Sequence, residues 1–218
     1  MKRKTSIFIF ILILLTTFNP KNKIIISKFN LQEIKIENNF LLHEDDVKKM
    51  LYPIYDKNLI FLKNSEIKKL LMQNSFVESF NIKKKYPNSL KIEIFEKKPI
   101  AILIDKKGKF YISEKIELIE FKNISNYRNL PYIFGDLEKF KIFYNDLKKI
   151  DFPFDKIKKY ILLETNRWDL ETKDNKTLKL PIENYILSLE NYLNLESNNS
   201  FKKYKTFDYR INNQLILK

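Results

Sequence analysis

Cysteine is absent from this 218-residue chain, histidine occurs once and glycine twice. Without thiols there can be no disulfide, zinc–thiolate site, iron–sulfur cluster or cysteine nucleophile. With His43 alone, no two-histidine metal site can form, and any Ser–His–Asp triad would have to use that residue. His43 lies in LeuHisGluAspAsp, where an exposed polar position at a helix start accounts for it. Gly108 and Gly135 are isolated turn glycines, so there is no glycine-rich phosphate loop. No two acids pair across a recognisable cleft, and the run Glu44, Asp45, Asp46 suits the first turn of a helix. The chain therefore reads as a non-enzyme that needs no cofactor or metal.

Arginine is scarce too: the excess behind a net charge of +14 is almost all lysine, with arginine only at positions 3, 128, 167 and 210. Nucleic-acid sites favour the planar arginine fork and interleave aromatics on one face, so no nucleic-acid partner is expected. The densest run, LysLysLysTyr at 83–86, reads as a solvated strand face. Mean hydropathy is −0.37, which describes a globular body and not a polytopic membrane protein.

What is present is concentrated at the N-terminus. MetLysArgLys precedes an apolar run from Ile7 to Leu15 and then ThrThrPheAsnPro. Basic residues ahead of an apolar run are retained in the cytoplasm and the remainder is translocated. No Ala-x-Ala-like cleavage site follows, which favours an uncleaved signal-anchor over a cleaved signal peptide. The run is short, since residues 7–18 as helix cover roughly 18 Å of a ~30 Å hydrocarbon core. Flanking lysines could snorkel across the mismatch. The organisation expected is a cytoplasmic N-terminus at 1–5, a transmembrane signal-anchor at 6–20 and domains at 28–97 and 98–218.

In the first domain, alternation at Leu31–Ile36 predicts a strand ending at Asn38–Asn39. Glu44 opens a helix with Val47, Met50 and Leu51 inward, and Pro53 stops it. AsnLeuIlePheLeu at 58–62 reads as a buried connector, and Asn64-Ser65 as the cap of a second helix. Residues 76–86 and 90–95 form a hairpin across ProAsnSer, giving the order β-α-α-β-β. The second domain is β-rich with flanking helices. Ile100–Ile104 and Phe110–Ile112 pair across LysLysGly, and Glu138–Ile150 is an amphipathic helix. Tyr160–Leu163 pairs with Trp168–Leu170, and Leu178–Leu180 extends that sheet. Ile182–Leu195 is a second helix with Ile186, Leu189 and Leu193 inward. Thr206–Ile211 and Leu215–Leu217 close the chain as strands, and Trp168 reads as a core anchor. The fold class is α+β.

The β-α-α-β-β order resembles a POTRA module, a polypeptide-docking fold. The phrases IleLysIleGluAsnAsn (34–39), AsnLeuIlePheLeu (58–62) and TyrProAsnSerLeuLysIleGluIlePheGluLysLysProIleAla (86–101) are similar to the POTRA segment of the bacterial cell-division family FtsQ/DivIB. LysLysGlyLysPheTyrIleSer (106–113), LeuProTyrIlePheGly (130–135) and PheAspTyrArgIle (207–211) resemble later segments of that family. So does ArgTrpAspLeuGluThrLysAspAsnLysThrLeuLysLeuPro (167–181), where Asn175 or Lys176 holds a turn position usually given to glycine. Tyr209 stands in place of a family leucine, and Ile211 in place of a frequent tyrosine.

The resemblance implies a single-pass inner-membrane protein of the division septum. Its periplasmic body would link early and late division proteins and recruit FtsB- and FtsL-like single-pass partners through its last strand. On this chain the implied contact residues are Asp208, Tyr209, Arg210, Ile211, Asn213, Leu215 and Leu217. Arg210 would pair with a partner acid, and Arg167 is a second candidate cation. Other divisome components would dock on the POTRA unit. A terminal sheet edge fits the same mode, because a partner strand can satisfy its open backbone groups. The alternative is a POTRA-bearing polypeptide transport or outer-membrane assembly factor. Such proteins carry a long β-barrel, for which ~120 residues do not suffice.

Overall fold

The computed structural model describes residues 2–16, 27–211 and 213–218. A helix, α1, spans Lys2–Thr16, and its side chains from Ile7 to Leu14 are all exposed. Its fifteen residues rise about 22 Å, less than a hydrocarbon core. Among the described residues no helix is long and apolar enough to cross a membrane, so the span expected at 6–20 is not met by this helix. The end of that candidate segment, residues 17–20, and the flanking Lys21 lie outside the described residues.

The rest divides into two compact units, one ending at Glu96 and the other running from Lys97 to Lys218. In the first, β1 (Glu33–Glu37), α2 (Glu44–Met50), α3 (Asn64–Leu71), β2 (Val77–Lys85) and β3 (Ser89–Glu96) follow in the predicted order. The sheet order is β1-β3-β2, with β1 parallel to β3 and β2 antiparallel to it. Alternate residues Ile34, Ile36, Leu90, Ile92 and Ile94 are buried, as are Val47, Leu51, Ile67 and Leu71 from the helices. At roughly 25 cal/mol per Å2 of apolar area removed from water, each such side chain contributes about 1.5–3 kcal/mol.

Several local expectations change here. The 58–62 connector is buried only at Leu59 and Leu62, whereas Ile60 and Phe61 are exposed, because the segment is a turn closed by Leu62 N–H on Asn58 O (3.0 Å) that presents its middle to solvent. The N-cap of α3 is Lys63, without a side-chain cap bond, since Asn64 is already helical. The lysine run is not uniformly solvated. Strand alternation exposes Lys83 and Lys85 but turns Lys84 inward, where its Nζ donates to the carbonyl of Leu62. The loop after β1 is held by Glu96, whose carboxylate accepts the backbone N–H groups of Phe40, Leu41 and Leu42 at 2.8–3.1 Å.

The second unit contains β4 (Pro99–Asp105), β5 (Gly108–Ser113), β6 (Leu118–Glu120), β7 (Tyr132–Phe134), α4 (Leu137–Lys149) and β8 (Ile157–Leu162). It continues with β9 (Trp168–Thr172), β10 (Thr177–Lys179), α5 (Tyr185–Glu196), β11 (Thr206–Asp208) and β12 (Ile216–Leu217). All nine strands form one sheet, ordered β12-β11-β10-β9-β8-β7-β4-β5-β6. A row of directly paired residues, Leu103, Ile133, Tyr160, Leu170, Leu178 and Phe207, is almost fully buried and forms the floor of the core. Phe140 and Phe143 of α4 and Leu189 and Tyr192 of α5 belong to the same core. Trp168 is 6% exposed and stacks on Phe143 with ring centroids 4.9 Å apart, which makes it a core anchor.

The helix α5 begins at Tyr185, later than its apolar pattern suggests, after Asn184 adopts a left-handed conformation (φ 57°). Ile182 is left exposed as a result. The turn between β9 and β10 places its left-handed residue at Asn175 (φ 61°), which settles the position that a glycine would occupy. Gly135 has φ +156°, and a Cβ there would stand 2.7 Å from the Cβ of Leu162, so this close approach of β7 to β8 requires glycine.

Candidate functional site at the sheet edge

The strand expected over 206–211 is shorter than its alternation suggests. β11 ends at Asp208 and is not an edge, since β10 lies parallel on one side and β12 antiparallel on the other. After Asp208 the Tyr209 N–H still donates to Lys179 O (2.9 Å). The chain then reverses through a turn in which Gln214 N–H donates to Ile211 O (3.1 Å) and Asn213 is left-handed (φ 60°). Asn212 lies outside the described residues.

The edge strand at this end of the sheet is β12, and β6 forms the opposite edge. Thr206 and Lys218 exchange backbone bonds of 2.9 and 3.1 Å, and Asp208 pairs with Ile216. Antiparallel alternation therefore points the N–H and C=O of Leu217, and of Leu215 before it, away from β11. Their side chains are half-buried and pack against the core. Beside this edge, Leu187, Ser188 and Asn191 of α5 line a cleft of about 550 Å3 with Tyr209, Ile211 and Leu215. Leu187 and Ile211 are 65% and 51% exposed.

The contact residues named by resemblance separate into distinct environments. Tyr209 is buried with its hydroxyl donating to Asn191 Oδ1 (3.0 Å), and burial raises its pKa, so its side chain braces α5. Asp208 is 5% exposed on the sheet face opposite the helices. Arg210 donates to it through Nε (2.8 Å) and Nη2 (2.6 Å), a bidentate pair that holds the Asp208 carboxyl below the usual carboxylate range. Arg167 makes a similar pair with Asp169 (Nε to Oδ1, 3.2 Å). Asp169, Lys179 and Asp208 are neighbours across β9, β10 and β11, so the fold brings both arginine–aspartate pairs to one face near the edge. Ile211 and Asn213 are exposed in the turn.

Leu187 went unnoticed in the sequence. Its signal is an apolar residue out of phase with the inward stripe of Ile186, Leu189 and Leu193. His43 is exposed at the N-cap of α2, and among the described residues no group of three or more His, Cys, Asp or Glu could hold a metal ion.

A β-α-α-β-β unit ahead of an open mixed sheet defines a POTRA-bearing α+β protein, and residues 29–97 match the family model "POTRA domain, FtsQ-type". The chain is 28% identical over 195 residues to the cell division protein FtsQ of Rickettsia felis, covering 87% of this chain and 72% of that protein. It is 27% identical over the same length to FtsQ of Rickettsia conorii, with the same coverage. With the cell division protein DivIB of Clostridium acetobutylicum it shares 26% identity over 98 residues, 44% of this chain and 39% of that protein. The FtsQ-type POTRA match and the similarity to FtsQ proteins over most of the chain support the FtsQ/DivIB family.

Proposed function

We propose that the protein is a non-catalytic, membrane-tethered scaffold of the cell-division machinery. Its C-terminal edge takes up an extended segment of a single-pass partner of the FtsB or FtsL kind, and its POTRA unit receives other division components. The tether is the N-terminal apolar segment in the inner membrane, with the body periplasmic. The observation that carries the reading is the short open edge at β12, with outward backbone groups at Leu215 and Leu217, beside a mixed polar and apolar cleft that exposes Leu187 and Ile211. A two-residue edge strand is poorly suited to self-association yet offers a docking register.

The arginines enter as electrostatic guides. Arg210 spends Nε and Nη2 on Asp208, which leaves Nη1 to meet a partner carboxylate, while Arg167 is tied to Asp169. The test is capture of an FtsB-like coiled coil by the full chain, by Arg210→Glu and by a truncation after Ile211. Loss of capture on truncation and weakening by Arg210→Glu are expected. Undiminished capture by both variants would refute the edge model. Mass spectrometry of the mature N-terminus tests the tether, which a start beyond Pro20 would exclude.

A further inference from the structure

A second cleft, of about 480 Å3, lies on the β-rich unit and is lined by Arg128, Asn129, Tyr132, Lys158, Lys159 and Lys173. Four cations line it and no acid does. Clefts elsewhere on the unit mix charges: Lys156, Lys176 and Lys202 stand with Asp174 and Glu196 in one, and Lys106 and Lys107 with Asp105 and Asp136 in another.

The convergence is built by the backbone. Consecutive strand residues point to opposite faces, yet the register of β8 against β9 slips between Ile157 and Lys159. This bulge lets Lys158 and Lys159 reach the same carboxylate, Glu171, with Nζ–O distances of 3.6 and 2.6 Å. One acid thus serves two lysines. Lys159 lies directly across from Tyr132 of β7, while Arg128 and Asn129 arrive from the segment ahead of β7 and Lys173 from the turn after β9. Among the described residues neither Arg128 nor Lys173 has an ion-pair partner, and both are exposed. The walls add an aromatic ring and the Asn129 amide. Such a concentration of one sign in a concave surface raises the local potential and favours a multiply charged anion.

We infer that this cleft binds a phosphate-bearing anion, either the phosphodiester headgroup of an acidic lipid or a free phosphate compound. Arg128 supplies the planar fork suited to two phosphate oxygens, and the lysines supply point charges around it. The site is separate from the β12 edge and makes no use of Arg210 or Arg167.

The test uses the full chain in non-ionic detergent with two probes, inorganic pyrophosphate and short-chain phosphatidylglycerol, read by isothermal titration calorimetry. Arg128→Gln/Lys173→Gln removes the two unpaired cations, and Lys106→Gln/Lys107→Gln removes equal charge from a mixed cleft. Saturable binding, weakened about tenfold or more in the first variant and unchanged in the second, supports the site. Binding of phosphatidylglycerol with no saturation by pyrophosphate supports it with a lipid source, and the reverse with a soluble source. Equal weakening by both variants would reduce the effect to diffuse charge and overturn the inference, as would failure of both probes to saturate. Chemical shifts of the β-sheet amides in each variant show whether the fold is retained.

Discussion

Proline at position 217 discriminates between docking by strand addition and docking by side chains alone. The Leu217 N–H points outward from β12, so proline there leaves the bonds between Thr206 and Lys218 and between Asp208 and Ile216 in place. It removes one donor that an added strand would use and sets a ring where the incoming backbone must pass. A partner carbonyl left unsatisfied in the closed interface costs about 1–3 kcal/mol, which is roughly 5- to 150-fold in Kd. The half-buried Leu217 side chain is lost as well, so Leu217→Ala serves as the control that keeps the N–H. The assay is biolayer interferometry of the full chain against an FtsB-like periplasmic segment, alongside thermal unfolding. The expected result is a Kd for Leu217→Pro weaker than that of Leu217→Ala by a factor in that range, with comparable Tm values for the two. Equal affinities of the proline and alanine variants would refute strand addition at β12.

Three further outcomes follow from the geometry. Glu96→Ala removes an acceptor shared by the N–H groups of Phe40, Leu41 and Leu42, and should destabilise the first unit by about 1.5–3 kcal/mol in urea unfolding, with Glu96→Gln intermediate. Gly135→Ala forces a Cβ to within 2.7 Å of Leu162 Cβ at a positive φ, and should cost about 1–3 kcal/mol by the same measurement on the second unit. Because Arg210 depresses the Asp208 pKa in the folded protein, the pair contributes stability that is present above the unfolded carboxylate pKa of about 3.9 and is lost as pH falls through the lower folded value. The stability difference between wild type and Asp208→Asn should therefore be constant near neutrality and shrink below about pH 4. A difference independent of pH down to pH 2 would contradict the pairing.

Periodicity alone specifies much of this chain. Alternation marks β1, β2 and β3 because one face of that sheet must leave water while the other stays in it, and the 3.6-residue spacing of Phe140, Phe143 and Leu147 marks α4 for the same reason. Composition likewise removes thiol chemistry and two-histidine metal sites without reference to any fold. Element ends are less legible: the backbone turns left-handed at Asn184 and Asn213, and no hydrophobic pattern encodes that.

Which strand lies at the edge is decided only in three dimensions. Phe207 reads in sequence as part of a final strand ready for a partner, yet β10 and β12 occupy both of its sides, and at this end of the sheet the outward backbone groups are those of Leu217 and Leu215. Tyr209 reads as a contact residue and is a brace for α5, because its ring falls on the core side of the sheet. The bidentate hold of Asp208 on Arg210 and the shared hold of Glu171 on Lys158 and Lys159 depend on strand register and on a bulge. Sequence sets which residues prefer water or a core, because burial depends on side-chain chemistry and local period. Edges, charge pairs and clefts depend on which distant segments meet, and that is fixed only when the sheet assembles.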